Sequence, residues 1–162
     1  MKTENNLITG LTRDCRAYVE LLAYAEQAAE EGLSSLSRLF FAASKARKVY
    51  AESYLSALNG ITSSSDNLQR AIAHEIVEAD ELYPQFIETA KKEQMPEVLR
   101  TFMLARSAKR KNIHLFEAAV DELGRETPAD YYVCQVCGYL YKGHEPIDCP
   151  ICGKGPQTME RV

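Results

Sequence analysis

From about residue 5 to residue 124, apolar side chains recur at spacings of three and four, the period that places one stripe of an α-helix against a core. Three interruptions divide this region: Gly32-Leu-Ser-Ser, Asn59-Gly-Ile-Thr-Ser-Ser-Ser and Glu93-Gln-Met-Pro96. The pattern predicts four helices. Gly32 reads as a helix C-terminus, Asp66 as an N-cap and Pro96 as a first-turn residue of the fourth helix. Pro84 falls inside the third and should kink it. Short connections at 32–35 and 93–96 make two antiparallel hairpins, and the longer segment near 59–66 joins them. The expected fold class is mainly α: an antiparallel four-helix bundle over residues 1–126, followed by a small module over residues 127–162.

Each predicted inward stripe is apolar except near its middle. The first runs Leu7, Leu11, Asp14, Tyr18, Leu22, Ala25, and the second Leu36, Phe40, Ala43, Arg47, Tyr50, Tyr54, Ala57. The third runs Leu68, Ile72, Glu75, Ala79, Leu82, Phe86, with Glu78 at its edge. The fourth runs Phe102, Ala105, Lys109, Asn112, Phe116, Ala119. The hairpins also repeat each other: Arg38, Phe40, Arg47 and Tyr50 match Arg100, Phe102, Lys109 and Asn112 at a constant offset of 62. Counted from the turns, the polar insertions fall at one level. Three carboxylates (Asp14, Glu75, Glu78) against two cations (Arg47, Lys109) come close to neutral, and buried charges persist only when paired, so a salt-bridge network is expected there. The alternative is that Arg47 and Lys109 snorkel outward.

The helical period ends before the last thirty residues, which hold Cys134-Gln-Val-Cys137 and Cys149-Pro-Ile-Cys152. Two CxxC pairs separated by eleven residues bring four thiolates to one tetrahedral metal, zinc or iron. Glycine follows each pair (Gly138, Gly153), where the backbone turns so that its N–H groups face the sulfurs. Tyr132, Tyr139 and Tyr141 are expected to pack around the site. The remaining cysteine, Cys15, reads as a small core residue of an amphipathic helix rather than a reactive thiol.

Composition narrows the classes. A polar N-terminus without an apolar run gives no sign of a secretory signal, and no stretch approaches the apolar length of a membrane span. The net charge of −4, with basic residues dispersed, leaves no nucleic-acid footprint. Cysteines concentrated in a metal-ligand pattern suit a reducing cytoplasm.

These residues carry a resemblance to a known family. The chain resembles a rubrerythrin over nearly its whole length, a ferritin-like four-helix bundle followed by a rubredoxin-like domain. The match rests on Ala25-Glu26-(x5)-Gly32, Arg38-Leu39-Phe40, Asn67-Leu68, Glu75-x-x-Glu78, Tyr83-Pro84-x-Phe86, Tyr132-Val-Cys134-x-x-Cys137-Gly138-Tyr139 and Cys149-Pro150-x-Cys152. The resemblance implies one iron held by Cys134, Cys137, Cys149 and Cys152, a di-iron centre reducing peroxide in the bundle, protein redox partners, and a homodimer. It also implies that Glu75, Glu78 and Asp14 stand at ligand positions. The glutamates of the two Glu-x-x-His motifs align with Arg47 and Lys109, and the histidines with Tyr50 and Asn112. No di-iron centre is therefore expected, and the sequence reads as an electron carrier with one Fe(Cys)4 site. A peroxide reductase using an altered metal site, such as one built from His114, Glu117 and Glu52, is the enzymatic alternative. A zinc-bound interaction protein is the structural one.

Overall fold

A computed structural model describes residues 1–125 and 128–162. The chain forms two compact units, Met1–Thr62 and Ser63–Val162. The expected boundary between residues 126 and 127 lies outside the described residues.

The first unit is a helical hairpin of α1 (Lys2–Glu30) and α2 (Ser34–Ala57). Gly32 adopts φ +77°, while the N–H groups of Gly32 and Leu33 donate back to the carbonyls of Ala29 (3.0 Å) and Ala28 (2.8 Å). This is the closure of a Schellman motif, which satisfies the last carbonyls and reverses the chain. The hairpin seam is built from small residues: Ala25, Ala28, Ser44 and Ala51 are buried, and Ser37 Oγ donates to the Ala25 carbonyl at 2.8 Å. Gly10 is used in the same way, since a Cβ there would lie 3.0 Å from the ring of Tyr54.

The second unit contains α3 (Ser64–Val77), a π-helical turn (Glu78–Leu82), α4 (Tyr83–Lys92), α5 (Pro96–Asp121) and a small sheet. The N-cap of α3 is Ser63 rather than Asp66: Ser63 Oγ accepts from the Asp66 N–H at 3.1 Å, which places Asp66 in the first turn, where its charge suits the helix dipole. The expected kink at Pro84 takes the form of the π-turn. Tyr83 N–H reaches back to the Glu78 carbonyl, and the freed Ala79 carbonyl accepts from Arg106 Nε of α5 at 2.8 Å. The α4–α5 turn repeats the first hairpin's closure with Gln94 at φ 54° and Met95 N–H donating to Ala90 at 3.0 Å. Pro96 opens α5 as expected.

The C-terminal sheet has the order β2-β1-β3, from Tyr131–Cys134 (β1), Leu140–Lys142 (β2) and Met159–Arg161 (β3), with both pairings antiparallel. Its core is Tyr132, Cys134, Cys149 and Met159, with Tyr139 and Tyr141 packed against it, as the sequence predicted for the tyrosines. Tyr132 Oη ties the following loop by donating to the His144 carbonyl at 3.1 Å. Helices in two hairpins followed by this sheet form the mainly α class expected. Among the described residues no helix is long and apolar enough to cross a membrane.

Candidate metal centre and the polar helix positions

The two CxxC segments fold into matching loops. Cys134 N–H donates to the Tyr139 carbonyl and Gly138 N–H to the Cys134 carbonyl, both at 2.9 Å. In the second loop Cys149 N–H donates to Lys154 at 2.8 Å and Gly153 N–H to Cys149 at 2.9 Å. The repeated pattern needs a left-handed residue after each second cysteine, met by Gly138 (φ 74°) and Gly153 (φ 68°). Antiparallel pairing of β1 with its neighbours holds the first loop against the second.

The sulfurs converge. Cys134 and Cys152 Sγ are 3.6 Å apart, Cys137 and Cys149 Sγ are 3.5 Å apart, and all four lie within 4.8 Å of one another. Metal–sulfur bonds of about 2.3 Å in a tetrahedron put sulfurs about 3.8 Å apart, so the cluster is sized for one zinc or iron ion. All four thiols are free, and these separations are far beyond a disulfide bond. Among the described residues this is the single cluster of three or more His, Cys, Asp or Glu ligand atoms.

The electrostatics of the thiols are set by burial and by N–H groups. Burial pushes Cys134 up, but hydrogen bonds from the Val136 and Cys137 N–H groups and from the Cys137 and Cys152 thiols outweigh it and bring it down to about 7. Burial raises Cys137, whose sulfur also faces the Tyr139 N–H, and burial likewise raises Cys152 against the Lys154 N–H. A metal ion must therefore displace protons as it binds, and the same N–H groups then serve the thiolates.

The seven polar positions divide between the units. In the first, Arg47 Nη1 donates to Asp14 Oδ1 at 2.8 Å, with Asp14 buried and the guanidinium half exposed. Tyr50 is 48% exposed. In the second, Lys109 Nζ lies 2.7 Å from Glu78 Oε2 and 3.2 Å from Glu75 Oε1. One ammonium thus bridges the two carboxylates of Glu75-x-x-Glu78. Glu75 Oε2 is buried and accepts no hydrogen bond among the described residues. Asn112 was expected to share this layer. Its side chain instead meets the cysteine loop, with Nδ2 donating to the Gly138 carbonyl at 3.1 Å and Oδ1 accepting from Leu140 N–H at 2.9 Å. The reason is hydrogen-bonding capacity, because a buried amide needs one acceptor and one donor and that loop edge presents both. His114 and Glu117 pair with each other at 3.2 Å, while Glu52 pairs with Lys48 at 3.4 Å.

Lys109 carries the first prediction. Burial lowers its pKa, but the bonds to Glu78 and Glu75 outweigh burial and leave it raised above 10.5. Lys109→Ala strands two carboxylates, one with a buried unpartnered oxygen. It is expected to cost about 2 kcal/mol, less than for a fully enclosed pair because Glu78 is partly exposed. A raised folded pKa means the contribution is complete below the unfolded value and disappears as pH climbs through the folded one. The difference in Tm between wild type and variant should therefore be constant near neutrality and close above pH 10.5. Equal Tm values at pH 7 would show that the pair contributes nothing.

Comparison with known proteins agrees with this architecture. No family model matches the chain. Rubrerythrin-2 of Clostridium acetobutylicum is 29% identical over 154 residues, covering 85% of this chain and 84% of that protein. Nigerythrin of Nitratidesulfovibrio vulgaris is 26% identical over 171 residues, covering 97% and 85%. A solved structure of partially reduced nigerythrin superposes with a TM-score of 0.61 at 24% identity, covering 99% of this chain and 86% of that one. A fully reduced, all-ferrous nigerythrin structure gives the same TM-score.

Proposed function

We propose that this chain, similar to rubrerythrins over most of its length, is a one-electron carrier whose redox centre is a single iron held by Cys134, Cys137, Cys149 and Cys152. The observation that carries the reading is the pairing of a tetrathiolate cluster with Lys109 Nζ at 2.7 and 3.2 Å from Glu78 and Glu75. Thiolates suit iron and zinc alike, and the all-ferrous state of nigerythrin supports iron. Bound there, iron would cycle between ferric and ferrous states, taking up one electron without a proton.

The residues at the remaining positions do not fit a di-iron centre. An ammonium cannot ligate a divalent cation, and Lys109 fills with positive charge the space between the two glutamates where a metal would need their electrons. Arg47 neutralises Asp14 in the same manner. On this reading no peroxide chemistry runs through the helices, and their polar positions are structural. The protein chain's tasks are then to hold the thiolates in geometry, direct N–H groups at them, and exclude water with Tyr132, Tyr139, Tyr141 and Met159. Redox partner proteins, a homodimer and a reducing cytoplasm complete the proposal.

Glu75 Oε2, buried without a hydrogen-bond partner among the described residues, favours one competing reading: an altered metal site that still reduces peroxide. Metal content decides between them. Protein purified anaerobically is expected to contain about one iron per chain, with a strong visible spectrum that bleaches on adding one electron. About three metal ions per chain would install the competing reading. One zinc and no colour, persisting after growth in iron-replete, zinc-limited medium, would leave a structural module and no electron carrier.

A further inference from the structure

We propose that Asn112 is a positioning residue for the metal centre, its amide clamping the Gly138–Tyr139 peptide beside Cys137 and raising the reduction potential of the iron held there. The inference rests on the one-iron reading above and extends it to a residue outside the cysteine module.

Three observations meet at this contact. Asn112 is buried on α5, and its amide satisfies both its groups on the loop that follows Cys137: Gly138 C=O accepts from Nδ2, and Leu140 N–H donates to Oδ1. Those two bonds straddle Tyr139. Gly138 C=O and Tyr139 N–H are the two ends of one peptide group, and that N–H is the one facing the Cys137 sulfur. A hydrogen bond accepted by the carbonyl polarises its peptide and strengthens the bond its N–H donates. A stronger N–H···S bond withdraws charge from the thiolate and favours the more electron-rich ferrous state, so the potential rises.

The chemistry of the contact selects asparagine. A carboxylate has no donor for Gly138, and one imidazole nitrogen cannot both donate to the carbonyl and accept from the neighbouring N–H. Lys109 and Asn112 lie three residues apart on α5, so the same helix is bound to Glu75 of α3 and Glu78 of the π-turn at one point and to the cysteine loop at the next. The pair aligned with a Glu-x-x-His motif thereby becomes a strut that fixes the loop relative to two helices.

The test uses the full chain loaded with iron, titrated potentiometrically against mediator dyes, and the same chain loaded with zinc for amide NMR. In Asn112→Ala the equilibrium constant for reduction should fall about threefold, about 30 mV at 59 mV per tenfold for one electron. In the zinc form the Leu140 amide should lose its protection from exchange, and the Tyr139 amide proton should move upfield as its bond to sulfur weakens. Asn112→Gln keeps both groups one methylene further out and should recover part of the potential if Ala disturbs the loop too far. A one-electron wave in the wild type tests the carrier reading by itself. Given that wave, an unchanged potential in both variants overturns the proposal, whatever happens at Leu140. If the wild type holds no iron at the cysteines the carrier reading fails, yet unaltered Leu140 and Tyr139 amides in the zinc-loaded variant would separately refute the clamp.

Discussion

Cys149→Ser is expected to remove the metal from the C-terminal module and unfold it. Cys149 is 2% exposed, shares the module's small core with Cys134, Tyr132 and Met159, and supplies one of four converging sulfurs. A module of about thirty-five residues has too little apolar surface to fold without a staple. For small metal modules the binding free energy, about 10–16 kcal/mol for zinc, is folding free energy. The serine hydroxyl is protonated at neutral pH and is a poor fourth ligand for a soft site. Metal content should drop from about one per chain to near zero, and the dispersed amide signals of β1, β2 and β3 should collapse while helix content by circular dichroism stays within about a tenth of wild type. A coloured variant with full metal content would remove Cys149 from the ligand set. Acidification should do reversibly what the substitution does permanently, since protons compete with metal for thiolates.

The second large effect runs in the opposite direction. In Lys109→Glu/Asn112→His, the bridging ammonium gives way to a third carboxylate beside Glu75 and Glu78, one turn from an imidazole. Without metal, three carboxylates face one another and the variant should be less stable than wild type by about 3 kcal/mol. With ferrous or manganous ion it should bind about one additional metal per chain and recover the lost stability in a concentration-dependent manner. Equilibrium dialysis under anaerobic conditions reads the stoichiometry, and Tm against metal concentration reads the linkage. A folded variant that takes up no extra metal would mean that the helices no longer hold these positions in a ligating geometry. The same variant should lose the clamp on Gly138 and Leu140, so its iron potential should fall as in Asn112→Ala.

Sequence by itself determined a good deal of this protein. The spacing of the CxxC pairs forces four sulfurs together wherever the chain can turn at Gly138 and Gly153, because the ligand geometry is local to two short loops. Helix number and hairpin order follow from hydrophobic period and from turn chemistry at Gly32 and Pro96. A salt-bridge network among Asp14, Arg47, Glu75, Glu78 and Lys109 was the expectation from charge neutrality; which carboxylate meets which cation, Asp14 with Arg47 and both glutamates with Lys109, is a finding of the fold. Sequence reading slipped at Asp66, because Ser63 and Asp66 can each cap a helix, and at Cys15, which was expected in the core and is exposed on α1. Only the tertiary structure decided the partner of Asn112. A buried amide demands a donor and an acceptor, but nothing in the spacing from Lys109 to Asn112 says whether a helix or a loop 26 residues further on supplies them. That choice depends on which backbone groups the folded cysteine loop leaves unpaired at the surface of α5. Those groups exist only once β1 and β2 have paired.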